Sequence, residues 1–109
     1  LAPALERRRD ITEAHPEIVD QVRAIIEGLV GCGACREVWM YDHLSSEAQP
    51  VSARPAGSHP AHDLVLHVAF PGDLGILTVH ERSEDIERAL RTALPGLHQV
   101  LIHAEPQGA

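Results

Sequence analysis

The sequence contains no lysine: all nine of its basic residues are arginine, set against sixteen acidic residues for a net charge of −7. That balance argues against a nucleic-acid partner, whose phosphates would be repelled, and makes cations the more natural ligands. Aromatic residues are nearly absent as well. Trp39, Tyr41 and Phe70 are the only three, so the core has to be aliphatic. Cys32 and Cys35 are too few for a disulfide framework and point to a reducing compartment. No apolar run approaches the roughly 20 residues of a membrane-spanning helix, so this chain is not expected to enter a bilayer. No signal peptide is visible, and the chain opens on Leu1 rather than methionine, from which we expect a segment excised from something longer.

What is present is enough for one domain. A hydrophobic content of 44% in 109 residues supports a single core and not two. Residues 1–15, with Arg7, Arg8 and Arg9, show little periodicity and read as a lead-in segment, followed by a domain over 16–106 and a short tail at 107–109. Pro16 suits a first helical position, and Ile18, Val22, Ile25, Ile26 and Leu29 recur at helical spacing, which predicts a helix over about 16–30 ended by Gly31 and Gly33. Arg36 to Leu44 reads as a strand. Ser45 to His62 carries Pro50, Pro55 and Pro60 and reads as an extended loop.

Asp63 to Phe70 alternates as a second strand, with Leu64, Leu66, Val68 and Phe70 on one face and Val65, His67 and Ala69 on the other. Pro71 and Gly72 end it. Thr78 with Glu81 then reads as a capping box for a second helix whose inward positions are Val79, Ile86, Leu90 and Ala93, closed by Pro95 and Gly96. The last strand, Val100 to Pro106, again separates Val100, Ile102 and Ala104 from Leu101, His103 and Glu105. The order helix, strand, strand, helix, strand predicts an α+β two-layer sandwich, ferredoxin-like or metallochaperone-like, with both helices on one face of a three-stranded mixed sheet. A strand–helix–strand crossover makes the second and third strands parallel.

In that topology His67 and His103 lie near the C-terminal ends of parallel strands, on the face turned away from the helices. His80, read as the second residue of the second helix, falls at the same end of the domain. A helix N-terminus favours neutral imidazole, the form that binds metal. His67, His80, His103 and Glu105 are therefore the candidate ligands, a donor set suited to Zn²⁺ and to other divalent transition ions. Each histidine alone could equally be a structural side chain satisfied by a hydrogen bond. His15, His43, His59, His62 and His98 are expected in solvent, with His62 beside Asp63 the best auxiliary pair. Cys32 and Cys35 form a CxxC, but it follows the C-terminus of a helix, where the dipole opposes a thiolate. Turn packing is the reading we favour for it, ahead of an accessory metal site.

These residues resemble the cytoplasmic C-terminal domain of cation diffusion facilitators, transporters that export zinc and related divalent metals. The likeness spans about Pro16 to Pro106. Its most specific part is "VLIHAEP", similar to the family's closing V-x-I-H-x-(Asp/Glu)-P; "LVLHVAF" is similar to its ligand-bearing middle strand, and "TVHERSEDIERALRTALPG" to its Ala-His helix opening with the amphipathic helix and Pro-Gly that follow. The resemblance implies a dimer, metal ligands at His67, His80, His103 and Glu105, and a place on the cytoplasmic side of an inner or plasma membrane, joined to a transporter's membrane part. Two features depart from it. By alignment Trp39 stands where the family often has a histidine ligand, opposite His67 if the hairpin is symmetric about its loop, and the loop itself is longer than the family's tight turn. His59, His62 or Asp63 could replace the missing donor.

The implied function is regulation of cation efflux through metal binding and dimerisation, with no enzymatic activity. A stand-alone metal buffer or chaperone of the same fold is the alternative, and a small metal-dependent hydrolase is a weaker one because no separate general base is apparent. If imidazoles and not thiols hold the ion, replacing both Cys32 and Cys35 with serine leaves zinc affinity at pH 7 to 8 unchanged in calorimetric titration. Loss of the tight site in that variant would instead make the cysteines ligands.

Overall fold

A computed structural model describes residues 10–42 and 61–108. The fold is α+β, in the order α1 (Pro16–Leu29), β1 (Cys35–Asp42), β2 (His62–Phe70), α2 (Ile76–Ala93) and β3 (Leu97–Pro106). The strands form one mixed sheet in the order β1-β2-β3, with β1 antiparallel and β3 parallel to the central β2. This is the expected architecture, with β1 starting one residue and β3 three residues earlier than the pattern placed them.

The period of two in β2 explains the layers. Leu64, Leu66, Val68 and Phe70 are buried and pack in one cluster with Val22 and Ile26 of α1, Ile86 and Leu90 of α2, and Val38 and Met40 of β1. Each element thus commits one apolar stripe to the same layer, and both helices lie on that face of the sheet. Val79 and Ala93 pack against this cluster from its edge.

The start of α2 departs from the pattern. Thr78 is not its N-cap; the helix begins at Ile76 behind Gly75, which has extended backbone angles and gives no side-chain cap. The Val79 N–H closes the first turn on the Gly75 carbonyl at 3.0 Å. A capping box identifies a favourable local pattern, but the Pro71–Leu74 turn, closed by a 3.2 Å backbone hydrogen bond, delivers the chain to a helical conformation three residues sooner. His80 becomes the fifth helical residue, beyond the first turn where a helix dipole acts most strongly.

Asp10 to Ala14, part of the lead-in segment, lies against the free edge of β1. Asp10 bridges Tyr41, the Ile11 N–H donates to the Met40 carbonyl at 2.9 Å, and the Met40 N–H donates to Thr12 Oγ1 at 2.8 Å. Thr12 also binds Asp10 through both its N–H and its hydroxyl, which holds the Asp10 carboxyl below its usual pKa. Hydrogen-bonding groups that an edge strand would expose are satisfied in this way. The expected loop at 45–62 falls mostly outside the described residues.

Because Leu66 sits at the centre of the buried cluster with no exposed surface, Leu66→Ala should lower unfolding stability by about 2–5 kcal/mol. Urea denaturation followed by circular dichroism measures it, and a loss well under 1 kcal/mol would show that the core is organised differently.

Candidate metal centre

Among the described residues no helix covers the outer face of the sheet, since both α1 and α2 occupy the inner one. Parallel pairing sets His67 opposite His103 and Ala69 opposite Glu105. The two imidazoles stack with ring centroids 4.9 Å apart and planes inclined by 17°. His67 Nδ1 lies 3.8 Å from Glu105 Oε2. Three of the four candidate ligands are therefore neighbours: alternation places them on one face, and the parallel register brings them together.

The fourth is elsewhere. His80 projects from α2 with its Nε2 3.2 Å from Glu84 Oε1, one helical turn on, and is largely exposed. Among the described residues, no three His, Cys, Asp or Glu side chains converge closely enough to hold an ion by themselves. What the described residues do set out is two imidazoles and a carboxylate in a row, facing solvent.

Trp39 is not opposite His67. Its ladder partner is Val65, and the residue opposite His67 is Glu37. The difference is a register shift of two residues, which preserves the face of every side chain and so leaves no trace in the alternation. Glu37 Oε2 lies 3.7 Å from His67 Nε2 and accepts a 3.4 Å hydrogen bond from the Trp39 indole N–H. Glu37 was missed by reading the sequence because it is an isolated carboxylate in a strand, with no motif around it.

The auxiliary candidates are placed differently from expectation. His62 is not in solvent but is the buried first residue of β2, its N–H donating to the Gly96 carbonyl at 3.0 Å. Gly96 has φ +92°, a conformation that glycine adopts without strain and that lets the chain turn into β3 beside His62. Asp63 is also buried, at 2% exposure. Its Oδ1 accepts the Gln99 N–H at 3.0 Å and lies 3.4 Å from His98 Nδ1. It thereby closes the irregularity where the ladder passes from His62–Leu97 to Asp63–Gln99. His98 is exposed as expected, His15 is half-buried, and His43 and His59 lie outside the described residues.

The two cysteines face different environments. Cys32 is exposed in the turn after α1, whereas Cys35 is buried in the core cluster. Burial pushes the Cys35 thiol above its ordinary pKa, partly offset by the Arg23 guanidinium, which also donates to the Cys35 carbonyl at 2.6 Å. A raised thiol pKa disfavours the thiolate that a metal or a redox reaction needs.

The chain matches a family model described as the cation efflux protein, cytoplasmic domain, over residues 51–107. Among solved structures it is similar to CzrB, described for its mode of action in zinc transport, with 30% identity and a TM-score of 0.61 over 85% of this chain and 96% of that one. A zinc form of CzrB aligns with 30% identity and a TM-score of 0.59, over 85% of this chain and 89% of the other. A cadmium form of a MamM C-terminal domain variant shares the fold at 12% identity, with a TM-score of 0.57 over 85% and 98% of the two chains. Comparison with curated protein sequences finds no significant match.

Since the Asp63 carboxylate is engaged by the Gln99 N–H, Asp63→Ala should destabilise the fold by about 1–3 kcal/mol without altering zinc affinity. Chemical denaturation and calorimetry on the same variant test both halves, and a loss of zinc binding with unchanged stability would restore Asp63 as a ligand. From the matched family model, the sheet topology and the similarity to CzrB together, this chain belongs to the cytoplasmic domain family of cation efflux proteins.

Proposed function

We propose that this chain is the metal-sensing, dimerising domain of a divalent-cation efflux transporter, with zinc as its foremost ligand. The single observation that carries the reading is the stacked pair His67 and His103 beside Glu105 on the sheet face opposite the helices. Unprotected imidazoles and a carboxylate in that grouping are the donor types that bind zinc and neighbouring transition ions. The zinc form of CzrB supports zinc as the first ion to test.

A zinc site is usually four-coordinate, and the described residues of one chain leave the set incomplete. A second copy can supply the missing donors. His80 is the exposed candidate, and next to it Ile76 and Leu77 are 90% and 71% exposed at the start of α2, apolar surface that a second chain would cover. Metal then acts by joining chains and not by catalysis. An ion that binds only the joined state stabilises it by RT ln(1 + [L]/Kd), about 2.7 kcal/mol at a hundredfold excess over Kd. That is enough to shift a conformational equilibrium about a hundredfold and so bias an attached transporter toward efflux.

His67→Ala and His103→Ala should each weaken zinc binding at least tenfold while leaving the metal-free melting temperature nearly unchanged, because neither side chain belongs to the core. Native mass spectrometry of the wild-type chain should show zinc raising the dimer fraction, with a smaller rise in His80→Ala. Unchanged zinc affinity in both sheet variants would overturn the reading.

A further inference from the structure

The site described above uses His67 from the β3 side only, yet the imidazole is flanked on both edges. Glu105 Oε2 lies 3.8 Å from Nδ1, and Glu37 Oε2 lies 3.7 Å from Nε2. Both separations exceed a hydrogen bond of about 3 Å by less than an ångström, within reach of a small side-chain rotation. A neutral imidazole has one nitrogen with a lone pair for a metal and one that carries a proton. The two carboxylates therefore cannot have the same role.

Which edge takes the metal follows from the neighbours. The Nδ1 edge faces Glu105, and Glu105 shares its strand with His103, the ring stacked on His67. That edge collects the remaining donors. The Nε2 edge faces β1, where Glu37 is alone and where its carboxylate already accepts the Trp39 indole N–H. This hydrogen bond holds Glu37 in place. The β1 ladder also shifts register between Cys35 and Glu37, so Glu37 is the last residue of the regular pairing and stands directly across from His67.

We propose that Glu37 is the positioning residue of His67: its carboxylate accepts a hydrogen bond from the Nε2–H and thereby presents the Nδ1 lone pair to an ion held with His103 and Glu105. The proposal rests on the metal-binding reading above and deepens it. A ligand histidine whose other ring N–H is held by a carboxylate is fixed in ring orientation and tautomer, and made more basic. Trp39, two residues along β1, acts one step further out by steadying that carboxylate.

The test uses the whole chain labelled with ¹⁵N-histidine and loaded with zinc. Ring-nitrogen NMR should find His67 metal-bound through Nδ1 and protonated on Nε2. Calorimetry should find zinc affinity reduced 10- to 100-fold in Glu37→Ala and largely retained in Glu37→Gln, whose amide oxygen still accepts a hydrogen bond. Circular dichroism should show all variants folded, since Glu37 is exposed. Zinc bound through His67 Nε2 would overturn the proposal, because Glu37 would then be on the metal side. Unchanged affinity in Glu37→Ala together with weakened binding in His103→Ala would overturn it while leaving the metal reading intact. Unchanged affinity in both would overturn the two together.

Discussion

Strand β2 is the central strand, paired with β1 along one edge and β3 along the other, and its two faces have opposite duties. Its inner residues Leu64, Leu66, Val68 and Phe70 are sealed beneath the helices, and its pairing with β3 carries His67 to His103 on the outer face. If β2 slipped by one residue, the histidine would turn into the core and the aliphatic residues into solvent. Burial of the inner face, worth on the order of 1.5–3 kcal/mol for each large aliphatic side chain, is therefore what keeps the imidazole outside. The stability of the core and the accessibility of the site are one constraint.

The helices define the site by where they are not. Both cover the same side of the sheet, so among the described residues no element encloses the polar row formed by Glu37, His67, His103 and Glu105. An open row of donors is poorly suited to sequestering an ion within one chain and well suited to sharing it with another molecule. The exposed apolar pair Ile76 and Leu77 beside His80 supports the same reading from the other layer. Membership of the cation efflux cytoplasmic domain family gives this surface its setting, and the proposed link between metal and dimerisation is the physical use made of it.

Several polar residues that resembled ligands serve the scaffold. Asp63 holds the backbone of β3 through Gln99, and His62 is buried at the turn that Gly96 makes possible. Cys35 belongs to the core, where its thiol is driven toward the protonated form. A chain with few aromatics has limited means of filling space, and buried polar groups with backbone partners help to define its strand ends. Residue type alone does not distinguish these duties from metal binding; burial and hydrogen-bond partners do.

The sequence by itself determined the number and type of the elements, the direction of β3 relative to β2, and the face on which each strand residue lies, because alternation and helical spacing are local periodicities tied to burial. From these, His67, His103 and Glu105 were legible as neighbours. Two matters were left to tertiary structure. The start of α2 followed the turn at 71–74 and not the capping pattern at Thr78, which moved His80 beyond the first turn. The antiparallel register of β1 on β2 put Glu37, and not Trp39, across from His67. A shift of two residues leaves every side chain on the same face, so the hydrophobic pattern cannot choose between registers; side-chain packing in the assembled core and the irregularity at the start of β1 can.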